Sequence, residues 1–306
     1  MITAPTEERA PEASGRPAAS SAPRRPRPPL VPILVATVFF IGVLVVLYPT
    51  IASWFAQYEQ SQRIGQYSAE VTDLGATARD DAIRAASAYN DTLTGIASVA
   101  ANQRIPQGDG GGDIDAYGGL LTADSQGLMA RIKIPAINLD LPIYHGTSDE
   151  VLRRGIGHLE GTALPVGGMN THSVLTGHRG LASAELFTNL DRVQIGDTFT
   201  IEVFGEVLTY RVFSTEVVAP EETETLYPQQ GEDLITLVTC TPLGINSHRI
   251  LVTGERILPT PVRDLQAAAA PPDVPGFPWW ALGLAGTAVV LAVYVSATRS
   301  LPRRRP

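Results

Sequence analysis

The chain has 306 residues with 23 Lys and Arg against 31 Asp and Glu, a formal net charge of -8, and arginines gathered near both ends. An acidic middle gives a phosphate backbone nothing to hold, so nucleic acid is excluded as a partner. About a quarter of the chain lies outside any plausible folded domain, which leaves room for one core of ordinary size and not two.

Residues 1–29 are rich in Pro, Ala, Arg and Ser and nearly devoid of large apolar side chains. Such a segment cannot repay the entropy of ordering and is predicted to be a disordered cytoplasmic tail. The apolar run from Leu30 to Tyr48 predicts a transmembrane helix over 30–50, and the run from Trp279 to Val295 a second over 277–297. Arg24, Arg25 and Arg27 precede the first, and Arg299, Arg303, Arg304 and Arg305 follow the second, within a basic tail at 298–306. The positive-inside rule then places both termini in the cytoplasm and everything between on the extracytoplasmic face. A cleaved signal peptide is the competing reading of the first run, but the run is long and no small-x-small site follows it.

Between the spans, residues 51–105 are predicted helical, because Val71, Leu74, Ala78, Ala82, Ala85, Tyr89 and Leu93 recur at steps of three or four. Residues 106–122 carry Gly108, Gly110, Gly111 and Gly112 and predict a loop. Over 123–258 the pattern changes to alternation: Leu128, Ala130, Ile132 and Ile134, then Phe199, Ile201 and Val203, each at the period of a half-buried strand. Gly205-Glu206 fits a two-residue hairpin turn of type II′ into a strand over Val207 to Phe213. With Leu234 to Thr239 and Arg249 to Glu255 these runs predict a mainly β domain, a closed barrel of about eight strands. From 259 to 276 Pro and Ala form a linker to the second span.

One cysteine in an oxidising compartment cannot form an intramolecular disulfide, so it is either a buried small hydrophobe or a residue kept for its chemistry. Cys240 ends an apolar run, and Thr241-Pro242 stops the strand there because proline cannot donate to the ladder. Arg249 opens the next strand. If the two strands pair antiparallel, a guanidinium stands beside the thiol, where it favours the thiolate and can donate to an oxyanion. His178 ends another strand, in Thr176-Gly177-His178-Arg179, and imidazole can take and return a proton near neutrality. The bland alternatives are a buried thiol, a loop histidine bonded to backbone and a rim salt bridge at Arg249. His145, His158, His172 and His248 have no motif role and are predicted structural. A zinc site from His172, His178 and Cys240 is disfavoured by the cation beside it, so no metal and no other cofactor is expected.

Thr239-Cys240-Thr241-Pro242 followed by Asn246-Ser247-His248-Arg249 resembles the TLxTC…R signature of the sortase family, and Thr176-Gly177-His178-Arg179 its TGHR element. Pro142 to Thr147, Gly155 to Thr162 and Leu164 to Gly168 resemble the pilus-assembling subgroup, class C, and the similarity runs from about Leu128 to Ile257. The resemblance implies a cysteine transpeptidase of a Gram-positive cell membrane. It would cleave an LPxTG-like sorting signal between Thr and Gly, hold the substrate as a thioester, and pass it to a lysine amine of a pilin subunit. Carried over, Cys240 is nucleophile, His178 general acid and base, and Arg249 the oxyanion stabiliser. The implied partners are pilin subunits and other LPxTG-type surface proteins. A peptidoglycan precursor amine is the acceptor in the housekeeping alternative, and an inactive barrel that binds sorting signals is the non-enzymatic one. Class C members often carry a lid with an Asp-Pro-aromatic motif. The nearest match is Asp115-Ala116-Tyr117, which lacks the proline, with Asp115 expected on Arg249 and Tyr117 over Cys240.

Overall fold

The computed structural model describes residues 30–93, 114–123 and 127–300. The predicted tail at 1–29 and most of the glycine-rich loop lie outside them. Helix α1 (Leu30–Asp73) runs unbroken for 44 residues through Pro49, so the apolar run and the segment beyond it are one rod. Gly75, at φ +77°, ends the rod, and α2 (Gly75–Thr92) leaves it to reach Leu164, whose backbone amide and carbonyl bond to Asn90. The buried positions of α2 are Ala86, Tyr89 and Asn90, whereas Leu74, Ala78 and Ala85 are exposed. The break at Gly75 resets the helical phase, so a face extrapolated across it from Val71 comes out rotated.

A one-turn helix α3 (Ile114–Tyr117) leads to the strands β1 (Leu128–Ile134), β2 (Leu139–His145), β3 (Ile156–His158), β4 (Thr171–Thr176), β5 (Thr198–Val203), β6 (Glu206–Val218), β7 (Asp233–Thr241) and β8 (His248–Ile257). They close into a barrel in the order β1-β2-β3-β4-β7-β8-β6-β5, as the alternating patterns predicted. Two pairs are parallel, β2 with β3 and β4 with β7, and each needs a crossover. The first is α4 (Asp149–Arg154), which Ser148 caps by accepting from the Val151 amide, with Asp149 and Glu150 in its first turn. The β5–β6 turn is Phe204-Gly205, one residue earlier than Gly205-Glu206. Both residues have positive φ, 46° and 86°, which is the type I′ geometry, and Val203 pairs with Glu206.

Odd and even positions part cleanly. Leu175, Ile235, Leu237, Ile250 and Val252 fill the barrel with β1 and β5 side chains, while Val174, Val238, Leu251, Val218 and Leu226 form a second apolar cluster with Leu159 on the outer face. Between β1 and α1 lies a buried ionic cluster. Arg131, 1% exposed, is bidentate to Asp140 at 2.6 Å for each bond and reaches Glu202 at 3.1 Å, and Lys133 lies 3.7 Å from Asp140. Burial would raise the Asp140 carboxyl, but the Arg131 bonds and charge hold it below the ordinary range, while for Glu202 burial wins and its carboxyl is pushed up.

The segment at 259–276 is more than a linker. It contains α5 (Val262–Ala268) and is bonded back along α1: the Asp273 amide donates to Asp140 at 3.0 Å, Ser61 donates to the Asp273 carbonyl, and Trp54 to that of Gly276 at 2.8 Å. It ends in α6 (Trp279–Ser300). Within α1 and α6 are two stretches long and apolar enough to cross a membrane.

Two histidines couple the fold to pH. His158 is fully buried; its Nε2 faces the Ala163 carbonyl at 2.8 Å and so carries the proton, leaving Nδ1 to accept from the Tyr117 hydroxyl at 2.9 Å. Burial pushes its pKa down to about 4, and burial lowers that of His172 as well. The unfolded chain therefore takes up these protons first as pH falls below about 6.5. Stability is present in full above that value and declines toward pH 4. At about 1.4 kcal/mol per tenfold in proton affinity, the loss from His158 is on the order of 3 kcal/mol. Thermal unfolding of the detergent-solubilised chain should come at clearly lower temperature at pH 5 than at pH 7; a transition that does not move between them contradicts this reading.

Candidate active site

Cys240 and Arg249 are direct partners across the antiparallel pair β7 and β8. β7 ends at Thr241, just before Pro242. By alternation the Cys240 side chain shares the outer face with Val238, and Arg249 shares it with Leu251, so sulfur and guanidinium stand at one end of the second apolar cluster. The thiol is half-buried and Arg249 is 5% exposed, its Nη1 donating to the carbonyls of Asn246 and His248 at 3.0 and 3.1 Å.

His178 arrives from β4. The parallel register pairs Thr176 with Val238, and beyond the strand the Gly177 amide still donates to the Val238 carbonyl at 3.0 Å, while the Thr239 hydroxyl donates to the Gly177 carbonyl at 2.7 Å. Continued by one step, that register brings His178 alongside Cys240. Gly177 is required there, because a Cβ would lie 2.6 Å from the Phe187 ring and 2.7 Å from Ile156. The three residues singled out from sequence thus gather at one end of β4, β7 and β8.

Burial pushes the Cys240 thiol up, against the lowering influence of Arg249. Burial also pushes His178 down, with Asp149 raising it and Arg153 lowering it. At neutral pH the resting pair is a thiol and a neutral imidazole, and the thiolate–imidazolium form is the minor one. Alkylation of Cys240 by iodoacetamide should therefore show a midpoint above the free-thiol value of about 8.5. Arg249→Gln should move it higher still; a midpoint below that of a free thiol, or one unmoved by the substitution, would contradict this electrostatic picture.

Sequence reasoning missed three contributors. Arg179, next to His178, donates to the Thr188 carbonyl at 3.2 Å and the Thr241 hydroxyl at 2.9 Å and pairs with Asp191 at 2.7 Å, tying the His178 loop to the end of β7. It stood in the quoted TGHR element, yet its partners are distant in sequence. Asp149 and Arg153 had a local signal, the Ser148 cap and acidic first turn, but nothing local places α4 over His178.

Tyr117 is placed elsewhere than expected. It is 4% exposed, between Tyr89, His145 and His158, its hydroxyl bonded to His158 and accepting from the Gly146 amide at 3.0 Å. These partners sit on β2, β3 and α2, with β4 between them and Cys240, roughly two strand spacings or 10 Å away. Instead of covering the thiol, Tyr117 locks the histidine pair: His145 reaches the carbonyls of Gly127 and Leu120 at 3.0 and 2.8 Å. The Asp115 side chain lies outside the described residues.

A closed barrel with Cys, His and Arg converging at one strand end defines a class that comparison with known proteins identifies. The Sortase domain family matches residues 132–257. The Streptococcus pneumoniae Sortase C structure superimposes with TM-score 0.58 at 38% identity, covering 66% of this chain and 100% of that one. Sortase A from Corynebacterium diphtheriae, in a lid mutant, gives 0.55 at 43% identity over 60% and 96%. Among curated proteins, Sortase D of Bacillus subtilis is 29% identical over 129 residues, 41% of this chain; the chain spans 62% of that relative's length. The chain belongs to the sortase family, and its structural neighbours include sortases C.

Proposed function

We propose that the chain is a membrane-anchored cysteine transpeptidase acting on LPxTG-like sorting signals, with Cys240, His178 and Arg249 as its catalytic residues. The observation that carries this reading is the cross-strand pairing of Cys240 with Arg249 at the strand end His178 also reaches. In the first step the Cys240 thiolate attacks the Thr carbonyl of the signal, the developing oxyanion faces Arg249, and protonated His178 gives its proton to the departing Gly amine. The product is a thioester. In the second step neutral His178 takes a proton from the incoming amine as it displaces the sulfur.

For the acceptor we propose a lysine of a pilin subunit. The solved Streptococcus pneumoniae neighbour is described for its pilin substrate specificity, and the sequence resemblance of Pro142 to Thr147, Gly155 to Thr162 and Leu164 to Gly168 to class C supports the same reading. The chain's own single lysine, Lys133, is held against Asp140 and mostly buried, which guards against self-attachment. The housekeeping alternative differs only in the acceptor, a peptidoglycan amine. Mass spectrometry of the cross-linked product decides: an isopeptide bond from Thr to a pilin lysine supports the first, a bond to a peptidoglycan amine the second, and hydrolysed signal alone neither.

The anchor reading is that the apolar half of α1 and all of α6 cross the membrane with both chain ends in the cytoplasm. The Trp54 and Trp280 rings meet at 6.1 Å, and Tyr58 stacks on Trp54 at 5.6 Å, an aromatic belt at one height on both helices. Residues 123–258 form the catalytic unit in this proposal.

A further inference from the structure

The two apolar helices also fix which end of the barrel faces the lipid. From the aromatic belt at Trp54, α1 continues along the barrel. Thr50, Trp54 and Gln57 line a cavity with Ile137, Asn138 and Leu139, at the end of β1 and the start of β2. Further along, Gln60 donates to the Arg154 carbonyl, and Tyr67 donates to that of Met129, at the start of β1. Moving up the helix is thus moving backward along β1, and β1 runs toward the membrane. The C-terminal segment descends beside it, with Asp273 at Ser61 and Gly276 at Trp54.

Strand pairing carries this direction around the barrel. β2 and β3 run away from the membrane, β4 and β7 toward it, and β8 away. His178, Cys240 and Arg249 therefore stand at the membrane end. Gln60, which meets the end of α4, lies six residues above Trp54, a rise of about 9 Å, and α4 supplies the charges that act on His178. The β7–β8 connection from Pro242 to Ser247 hangs from this same end. It exposes Leu243 and Ile245, at 53% and 73%, between the nucleophile and its arginine. Ile195, 67% exposed, lies in the connection from β4 to β5 at the same end.

We propose that this apolar rim docks on the outer surface of the bilayer that α1 and α6 span, with Leu243, Ile245 and Ile195 entering the boundary between headgroups and acyl chains. The proposal rests on the anchor reading above. Lipid is the occupant because the rim belongs to a body held at the bilayer surface by two helices and a bonded tether, facing the same plane as their aromatic belt. Cys240, His178 and Arg249 would then meet their substrate at headgroup height. Soluble peptides would reach them less readily than membrane-tethered ones.

The test uses the full chain in vesicles of phosphatidylcholine and phosphatidylglycerol, with Cys240→Ala removing the native thiol and single cysteines carrying an environment-sensitive fluorophore. Ile245→Cys and Ile195→Cys labels should be quenched several-fold more by shallowly brominated lipid than a Met169→Cys label at the far end of the barrel, and a Val45→Cys label most by deeply brominated lipid. If the Val45 label is quenched and the Ile245 label behaves like the Met169 one, docking is overturned while the anchor stands. If the Val45 label is unquenched, the anchor reading fails and takes the proposal with it. Shielding of Ile245 only on addition of a sorting-signal protein would mark the rim as a protein surface and overturn the lipid assignment.

Discussion

Cys240→Ala should abolish transfer outright, and Arg249→Ala should lower kcat/KM on a sorting-signal peptide by about 10² to 10³, the usual cost of one oxyanion donor. His178→Ala belongs with Cys240→Ala, because residues that act in one proton-transfer chain fail together and not additively. In the proposed mechanism Arg249 has a double duty. Its charge lowers the thiol that burial raises, so Arg249→Ala loses thiolate as well as oxyanion stabilisation. Arg249→Lys keeps a charge without the planar fork and should recover alkylation rate more than turnover. Parallel measurement of iodoacetamide rate and peptide cleavage separates the two roles; equal losses in both would leave Arg249 acting through the thiol alone.

Arg131→Ala should be the most destabilising single substitution in the barrel. It leaves Asp140 and Glu202, both mostly buried, with Lys133 as the one cation still beside them in place of a bidentate guanidinium. Removing one partner of a buried ion cluster costs about 3–5 kcal/mol, a drop in Tm on the order of 10 °C for a domain of this size. The loss should reach the tether as well, since Asp140 also accepts from the Asp273 amide. A triple variant with Met at 131 and Leu at 140 and 202 should regain most of the stability, because the penalty comes from orphaned charge. Thermal unfolding followed by circular dichroism checks both; a Tm for Arg131→Ala within a degree or two of the parent contradicts the picture.

Much of the barrel could be read from the chain because its strands alternate over most of their length: Ala130, Ile132 and Ile134, and Phe199, Ile201 and Val203, face the core at every second residue, and only the irregularity at Leu128 to Ala130 adds Met129 to it. The gathering of Cys240 and Arg249 was legible because a short loop between two strands leaves one sensible pairing. His178 could be singled out from its place at a strand end, but its meeting with Cys240 could not, since the parallel β4–β7 pairing joins segments about 60 residues apart and has no local signature. Three features escaped. The face of α2 was right at Ala82, Tyr89 and Leu93 but wrong at Ala78 and Ala85, because one glycine with positive φ breaks the helical phase. The hairpin turn slipped by a residue because Phe204 adopts a left-handed conformation that its side chain gives no reason to expect. Tyr117 was read as a cover for the thiol from a three-residue match, whereas its surroundings, a buried histidine and an amide needing partners, depend on the barrel being closed.

The measurement that bears most directly on the central claim is the intact mass of the full chain after brief mixing with a sorting-signal peptide and no acceptor amine. The expected result is a mass increase equal to the acyl fragment ending in Thr, its free acid less one water, mapped to Cys240, discharged by hydroxylamine and absent in Cys240→Ala. A chain that cleaves the peptide with no adduct at Cys240, or whose Cys240→Ala variant cleaves as well as the parent, would contradict it.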